Sequence, residues 1–367
     1  MKNLKLIGKI GQGISGVGRE ENQNIKVVKE RIETIRYGVE KGINFIDTAL
    51  IYGNGFSEKM IAVATKDIRK LCFIASKFYP SSINTKTVLR NNLYRTLENL
   101  KTDYLDLYQL HWPNPNVDYD IVSEELNYLI SIGLIKNVGT SNFNIQSIKY
   151  LNKKLTKKIF SNQNEMNLSN LENYDYFYKK KKTYLIAYSP LNQGRMTDNC
   201  DQLKYLHQLS KKKKTNISAI IINWLLKFEN VLPVIKMKNK MQINNALEGL
   251  NINLDKNEIN EINKFYKPSL LYLRKNQIIF PKIFGKEKPY KKLNDALINK
   301  LDLIPSPLEV SQLYKKKLIT MRIKVKKNKK GYYVLDSYDL WGEMKKYWAW
   351  ILAFPKKLIP VKIIRNK

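Results

Sequence analysis

The stretch INFIDTALIYGNGFSEKMI, residues 43–61, decides how the whole chain is read. A short apolar run ends in a carboxylate at Asp47, a glycine-broken turn carries Tyr52, and a helix-like segment then opens. The same order recurs up to about residue 267: an apolar run, a polar side chain, then a longer stretch with apolar residues at helical spacing. Candidate strands fall at residues 5–10, 43–46, 71–75, 104–110, 135–139, 158–160, 184–187 and 231–235. Helix-like segments lie between them at 27–41, 85–100, 121–132, 145–155 and 219–227. Strands alternating with helices imply a parallel sheet. Asp47 and Tyr52 follow the second strand, Lys77 the third and His111 the fourth. Ser141 and Asn142 follow the fifth, Gln163 and Asn164 the sixth, Ser189 the seventh and Lys236 the eighth. A closed barrel gathers such residues on its carboxyl-end face, where barrel enzymes carry their sites, and an open doubly wound sheet does not. The expected fold is therefore α/β, a (β/α)8 TIM barrel with a small C-terminal α+β domain. GQGISG at residues 11–16 matches a dinucleotide fingerprint in its letters, but no helical pattern opens before Val27. Those glycines are expected to form a flexible strand-end loop instead.

Composition narrows the class. A chain of 367 residues holds one barrel of about 250 residues and a smaller appendix. Lys and Arg number 65 against 32 Asp and Glu, for a net charge of +33. The excess is mostly lysine, spread through helices among Asn and Ile, and reads as compositional bias rather than as a polyanion-binding patch. No compact basic and aromatic motif supports nucleic-acid binding. Cys72 and Cys200 are the two cysteines, and His111 and His207 the two histidines, so neither a disulfide framework nor a metal site is expected. No apolar run approaches the ~20 residues of a membrane span, and the amino-terminal stretch lacks a cleavage signal. The expected location is cytoplasmic.

Reducing a carbonyl requires hydride at carbon and a proton at oxygen. A tyrosine hydroxyl supplies the proton if a cation lowers its pKa from about 10. Tyr52 is the candidate donor, Lys77 the cation, Asp47 the partner that holds the ammonium, and His111 the group that orients the substrate oxygen. Taken singly, each reads as an ordinary packing or surface residue; their common placement at successive strand ends sets them apart.

At these residues the chain resembles the aldo-keto reductase family. The matching strings are residues 43–61, FIASKF at 73–78, LKTDYLDLYQLHWPNP at 100–115, VGTSNF at 138–143, SNQNEMN at 161–167 and AYSPLNQG at 187–194. The resemblance implies a tetrad of Asp47, Tyr52, Lys77 and His111. It places a nicotinamide carboxamide against Ser141, Asn142 and Gln163, with the ring on Tyr188 and the pyrophosphate along Ser189, Pro190 and Leu191. Lys236 and Lys238 would meet a 2′-phosphate, which favours NADP over NAD. Asn245 and Ala246 stand where relatives carry Glu-Asn at the adenine.

The implied function is NAD(P)H-dependent reduction of an aldehyde, ketone or sugar carbonyl, with a small carbonyl compound as the partner. The competing reading is a non-catalytic barrel that senses a ligand and docks through its tail. Residues 268–294 read as a linker or wrapping arm. Residues 295–367 read as a small unit of strand, hairpin, helix and final strand that resembles a degenerate ParB-like domain around Asp336–Leu340 and could meet a protein partner.

Overall fold

In the computed structural model, eight parallel strands close on themselves in chain order. They are β1 (Gly11–Gly13), β2 (Phe45–Asp47), β3 (Phe73–Phe78), β4 (Leu107–Leu110), β5 (Val138–Ser141), β6 (Ser161–Glu165), β7 (Tyr184–Tyr188) and β8 (Val231–Ile235). Gly11 lies opposite Phe45 on one side and Val234 on the other, which shuts the ring. The structure describes residues 7–15, 24–78, 86–112, 117–143, 145–168, 183–197, 199–265, 271–273, 278–279, 323–327, 333–335, 346–347, 350 and 358–363. The outer helices are α1 (Ile25–Glu40), α2 (Phe56–Ala64), α3 (Lys86–Leu100), α4 (Tyr119–Ser131), α5 (Ile145–Lys154), α6 (Cys200–Lys213), α7 (Ile217–Leu225), α8 (Lys240–Asn251) and α9 (Lys256–Lys264). The barrel expected from the alternation of strand and helix is the one observed.

Asparagine, abundant in this sequence, starts many of these helices. Asn24, Asn199, Asn216 and Asn239 accept first-turn backbone N–H groups of α1, α6, α7 and α8, and Asp118 does so for α4. Asp255 and Glu258 form a reciprocal capping box on α9. Each such cap stabilises its helix by about 1 kcal/mol.

The GQG segment corrects the expectation of a loop: it is β1, wholly buried. A β-carbon on Gly11 would meet the Phe45 ring at 2.7 Å, so only glycine lets this strand approach β2. Gln12 points outward and donates to Ile35 O at 3.1 Å and Ile43 O at 2.9 Å, tying α1 to the barrel. A second shift occurs at β6, which starts at Ser161, just beyond the apolar run at 158–160.

The lumen has two storeys. Phe45, Phe73, Ala75, Leu107, Ile186, Leu232 and Val234 form an apolar plug in its amino-terminal half. Rings stack along it from Phe45 to Phe73 (5.4 Å), Phe73 to Phe160 (5.9 Å) and Phe160 to Tyr184 (5.2 Å). Above the plug, toward the strands' carboxyl ends, the register aligns Lys77 with Gln109, Gln109 with Gly139, and Ser141 with Gln163.

In the tail, Ile323–Lys327 and Tyr333–Leu335 pair antiparallel, as the expected hairpin requires, and Ile359–Ile363 adds a parallel neighbour. Leu271–Leu273 and Ile278–Ile279 complete a five-stranded sheet. The segment read as an arm thus supplies two strands of that sheet. Ile323, Trp350 and Ile359 share one apolar cluster with Leu206 of α6 and Trp224 of α7. The first strand expected of the unit at residues 295–367, over LIPSP at 303–307, lies outside the described residues, as do residues 336–340 that carry the ParB-like resemblance.

Candidate active site

Tyr52 is presented by a turn of unusual backbone. Gly53, Asn54 and Gly55 all adopt left-handed conformations (φ 57°, 54° and 89°), which glycine and asparagine tolerate best. Arg95 Nη2 donates to Asn54 Oδ1 at 2.8 Å and holds the turn from α3. Lys77, on β3, has no solvent exposure. Its Nζ donates to Asp47 Oδ2 at 2.8 Å and to Thr48 O at 2.7 Å, and lies 5.2 Å from the centre of the Tyr52 ring. His111, just beyond β4, meets Tyr52 edge to face at 5.8 Å. The four residues expected to act together are brought together.

Their electrostatics differ in one respect from expectation. Burial raises the Tyr52 phenol above its ordinary value; Lys77 pulls it down and Asp47 pushes it up, and burial prevails. The Tyr52 hydroxyl is thus held in its neutral form. Desolvation opposes the Lys77 charge, but Asp47 and Tyr52 outweigh it and hold the ammonium protonated. Burial first, and Lys77 second, drive His111 well below its ordinary range, so a neutral imidazole faces the site.

A cavity of about 810 Å³ opens over the carboxyl ends of the strands. Asp47, Tyr52 and His111 line it, while Lys77 acts from behind. Ser141, Asn142, Gln163 and Tyr188 line one wall. Asn142 has a left-handed backbone (φ 64°) and donates to His111 O at 3.3 Å. Tyr188 donates its hydroxyl to Asn142 Oδ1 at 3.1 Å, and Ser141 donates to Gln163 O at 3.0 Å. Gln163 Nε2 is a buried donor with no hydrogen-bond partner among the described residues, which suits an amide oxygen such as that of a nicotinamide carboxamide. Ser189, Pro190 and Leu191 line the cavity beyond Tyr188, in a loop where Ser189, Asn192, Gln193 and Met196 all have positive φ. Lys236 and Lys238 line its far end with Asn245 and Ala246, beside the amino terminus of α8.

Several lining residues were not singled out by sequence. Gly13 and Ser15 belong to the GQGISG stretch, whose letters read as a loop; Trp112 follows His111 directly. Glu165 ends β6, whose place on the apolar run was shifted. Met196, Met237 and Met241 carried no signal, because an isolated methionine reads as core. His207, expected to be surface decoration, lies on α6 away from the cavity lining.

The sequence profile of the Aldo/keto reductase family matches residues 9–267. A glyoxal reductase of Bacillus subtilis is 30% identical over 270 residues, covering 72% of this chain and 92% of its own. A methylglyoxal reductase of Escherichia coli is 25% identical over 266 residues, covering 70% and 90%. Among solved structures, the thermostable aldo-keto reductase Tm1743, in complex with the inhibitor epalrestat, superposes with a TM-score of 0.66 at 29% identity, covering 70% of this chain and 95% of its own. A Klebsiella pneumoniae aldo/keto reductase in complex with NADP and acetate has the same fold, with a TM-score of 0.65 at 23% identity, covering 71% and 92%.

Proposed function

This chain belongs to the aldo-keto reductase family and is an oxidoreductase, and from that premise we propose that it reduces a small aldehyde or ketone with NADPH, Tyr52 supplying the proton. One observation carries the reading: a fully buried lysine, clasped by Asp47, lies behind a cavity-lining tyrosine that meets a neutral histidine edge to face. A buried ammonium is costly unless it is paired and used.

The residues divide the work. His111 and Tyr52 hydrogen-bond the carbonyl oxygen, and Tyr52 gives up its proton as negative charge develops there. Lys77 stabilises the tyrosinate that remains, and Asp47 keeps Lys77 charged and in place. NADPH, when bound, supplies the hydride. Ser141, Asn142 and Gln163 would hold its carboxamide, Tyr188 would cover one face of the ring, and Ser189 to Leu191 would follow the pyrophosphate. Lys236 and Lys238 would pair with the 2′-phosphate, which is why NADPH is preferred to NADH. The named relatives act on glyoxal and methylglyoxal, so methylglyoxal is the natural first substrate.

Purified protein titrated with NADPH is expected to show quenching of its tryptophan fluorescence, and then to consume NADPH when methylglyoxal is added. Absence of both effects overturns the reading.

A further inference from the structure

The barrel buries one carboxylate that the chemistry above does not use. Glu58, in the first turn of α2, has no solvent exposure and makes no ion pair among the described residues. Its Oε1 accepts from Ser76 Oγ at 2.7 Å and its Oε2 from Asn99 Nδ2 at 2.9 Å. Burial holds its carboxyl above the ordinary carboxylate range, against the pull of those hydrogen bonds, of the neighbouring Thr96 hydroxyl and of Arg95. An unpaired buried carboxylate weakens a fold that a neutral side chain of the same shape would fill more cheaply, so its presence calls for another cause.

Its partners supply that cause. Ser76 immediately precedes Lys77 on β3. Asn99, on α3, lies directly beneath Gly55, so closely that a β-carbon there would strike its amide. Gly55 closes the left-handed turn that presents Tyr52. The residue next to Glu58 binds the same machinery from the other side. Ser57 Oγ donates to Tyr52 O at 3.1 Å and lies 2.9 Å from Thr48 Oγ1, while Thr48 O receives the Lys77 ammonium. The first turn of α2 is thus riveted to the strand that carries Lys77, to the residue after Asp47, and to the turn that carries Tyr52. The positive end of the helix favours a carboxylate at this position over a neutral group.

We propose that Glu58 is a positioning residue for carbonyl reduction: by bridging Ser76 of β3 and Asn99 of α3 it fixes the Tyr52 turn against Lys77. The carboxylate matters because it accepts both donors at once. An amide has one acceptor oxygen and presents its own N–H groups to the other donor. The inference rests on Tyr52 being the proton donor.

The test uses the full chain with NADPH and methylglyoxal, comparing the parent with Glu58→Gln and Ser76→Ala. NADPH affinity is expected to stay within about twofold in both, since neither residue touches the cavity. In Glu58→Gln, kcat is expected to fall roughly tenfold or more, because a displacement of about 1 Å in a catalytic group can cost on the order of 100-fold. KM is expected to change little. The solvent deuterium isotope effect on kcat is expected to rise as proton transfer from a misplaced Tyr52 becomes limiting. Simple loss of folded protein lowers kcat without moving the isotope effect. If Glu58→Gln does not fold, Ser76→Ala removes one donor and leaves no new charge; the same pattern is expected in it at smaller amplitude. Turnover within twofold of the parent, or a loss with an unchanged isotope effect, overturns the proposal. A parent chain that binds NADPH and turns over with Tyr52 dispensable overturns the proton-donor reading instead.

Discussion

The two storeys of the barrel lumen are built from the same strands by opposite rules. Below, rings and aliphatic side chains from β2, β3, β4, β7 and β8 fill the space with nothing to satisfy. Above, two residues further along several of the same strands, the lumen holds an ion pair, and atoms such as Asp47 Oδ1, His111 Nδ1 and Gln163 Nε2 have no hydrogen-bond partner among the described residues. Phe45 and Asp47 are successive inward residues of β2, and Phe73, Ala75 and Lys77 are successive inward residues of β3. The lower half stabilises the fold; the upper half gives stability up for polar groups held at fixed distances. Substitutions in the two storeys are therefore expected to separate stability from activity.

The sharpest separation is expected from Asp47→Asn combined with Lys77→Met. Replacing a buried pair by neutral residues of similar volume is often neutral, or stabilising by about 1–4 kcal/mol. Turnover of methylglyoxal is expected to drop by about 1,000-fold, within the range of general acid catalysis. Lys77→Met alone is expected to lose about 3–5 kcal/mol, because it strands the Asp47 charge. Urea denaturation beside NADPH oxidation reads both effects. A double variant that is both unstable and active would erase the distinction between the storeys.

Phe73→Ala is the converse. It removes the ring stacked between Phe45 and Phe160 and is expected to cost about 3–5 kcal/mol of unfolding free energy. The kcat per folded molecule should match the parent, and a large fall in kcat at full folding would show that the plug also sets the site's geometry.

A subtler test is pH. His111 has a folded-state pKa held below its ordinary 6.5, so the unfolded chain takes up its proton first. The sign follows: this histidine favours the fold above about pH 6.5, and that contribution is lost as pH falls. The imidazole stays neutral where a free one would titrate, so kcat/KM is expected to show no step at pH 6.5. A step there that disappears in His111→Gln contradicts the neutral assignment.

The smallest effect is expected at the cavity's far end. Lys236→Met with Lys238→Met should reduce the preference for NADPH over NADH roughly tenfold, since a hydrogen bond to a charged group contributes about 1.5–3 kcal/mol. Equal affinities for the two cofactors in the parent would remove the basis for the phosphate assignment.

Much of this arrangement was legible in the sequence because barrel topology converts order along the chain into position on a ring. Asp47, Lys77 and His111 stand far apart in the chain and meet only because strands two, three and four are neighbours. What was not legible has particular causes. β1 was missed because its residues are glycine and glutamine, chosen for close approach to Phe45 rather than for apolar burial. Sequence reveals the Lys77 cation that lowers the Tyr52 pKa but not how completely burial of the phenol opposes it. Glu58 gave no signal, since a glutamate in the first turn of a helix ordinarily caps it at the surface.

The central claim is that Tyr52 delivers the proton, and Tyr52→Phe tests it most directly. Binding of NADPH by fluorescence and single-turnover reduction of methylglyoxal should be measured on the same preparation. The variant is expected to bind NADPH as the parent does, because removing one hydroxyl leaves the aromatic packing against His111 in place. Its chemical step is expected to slow by about 100- to 10,000-fold. A Tyr52→Phe protein that binds NADPH and reduces methylglyoxal at the parental rate would contradict the claim.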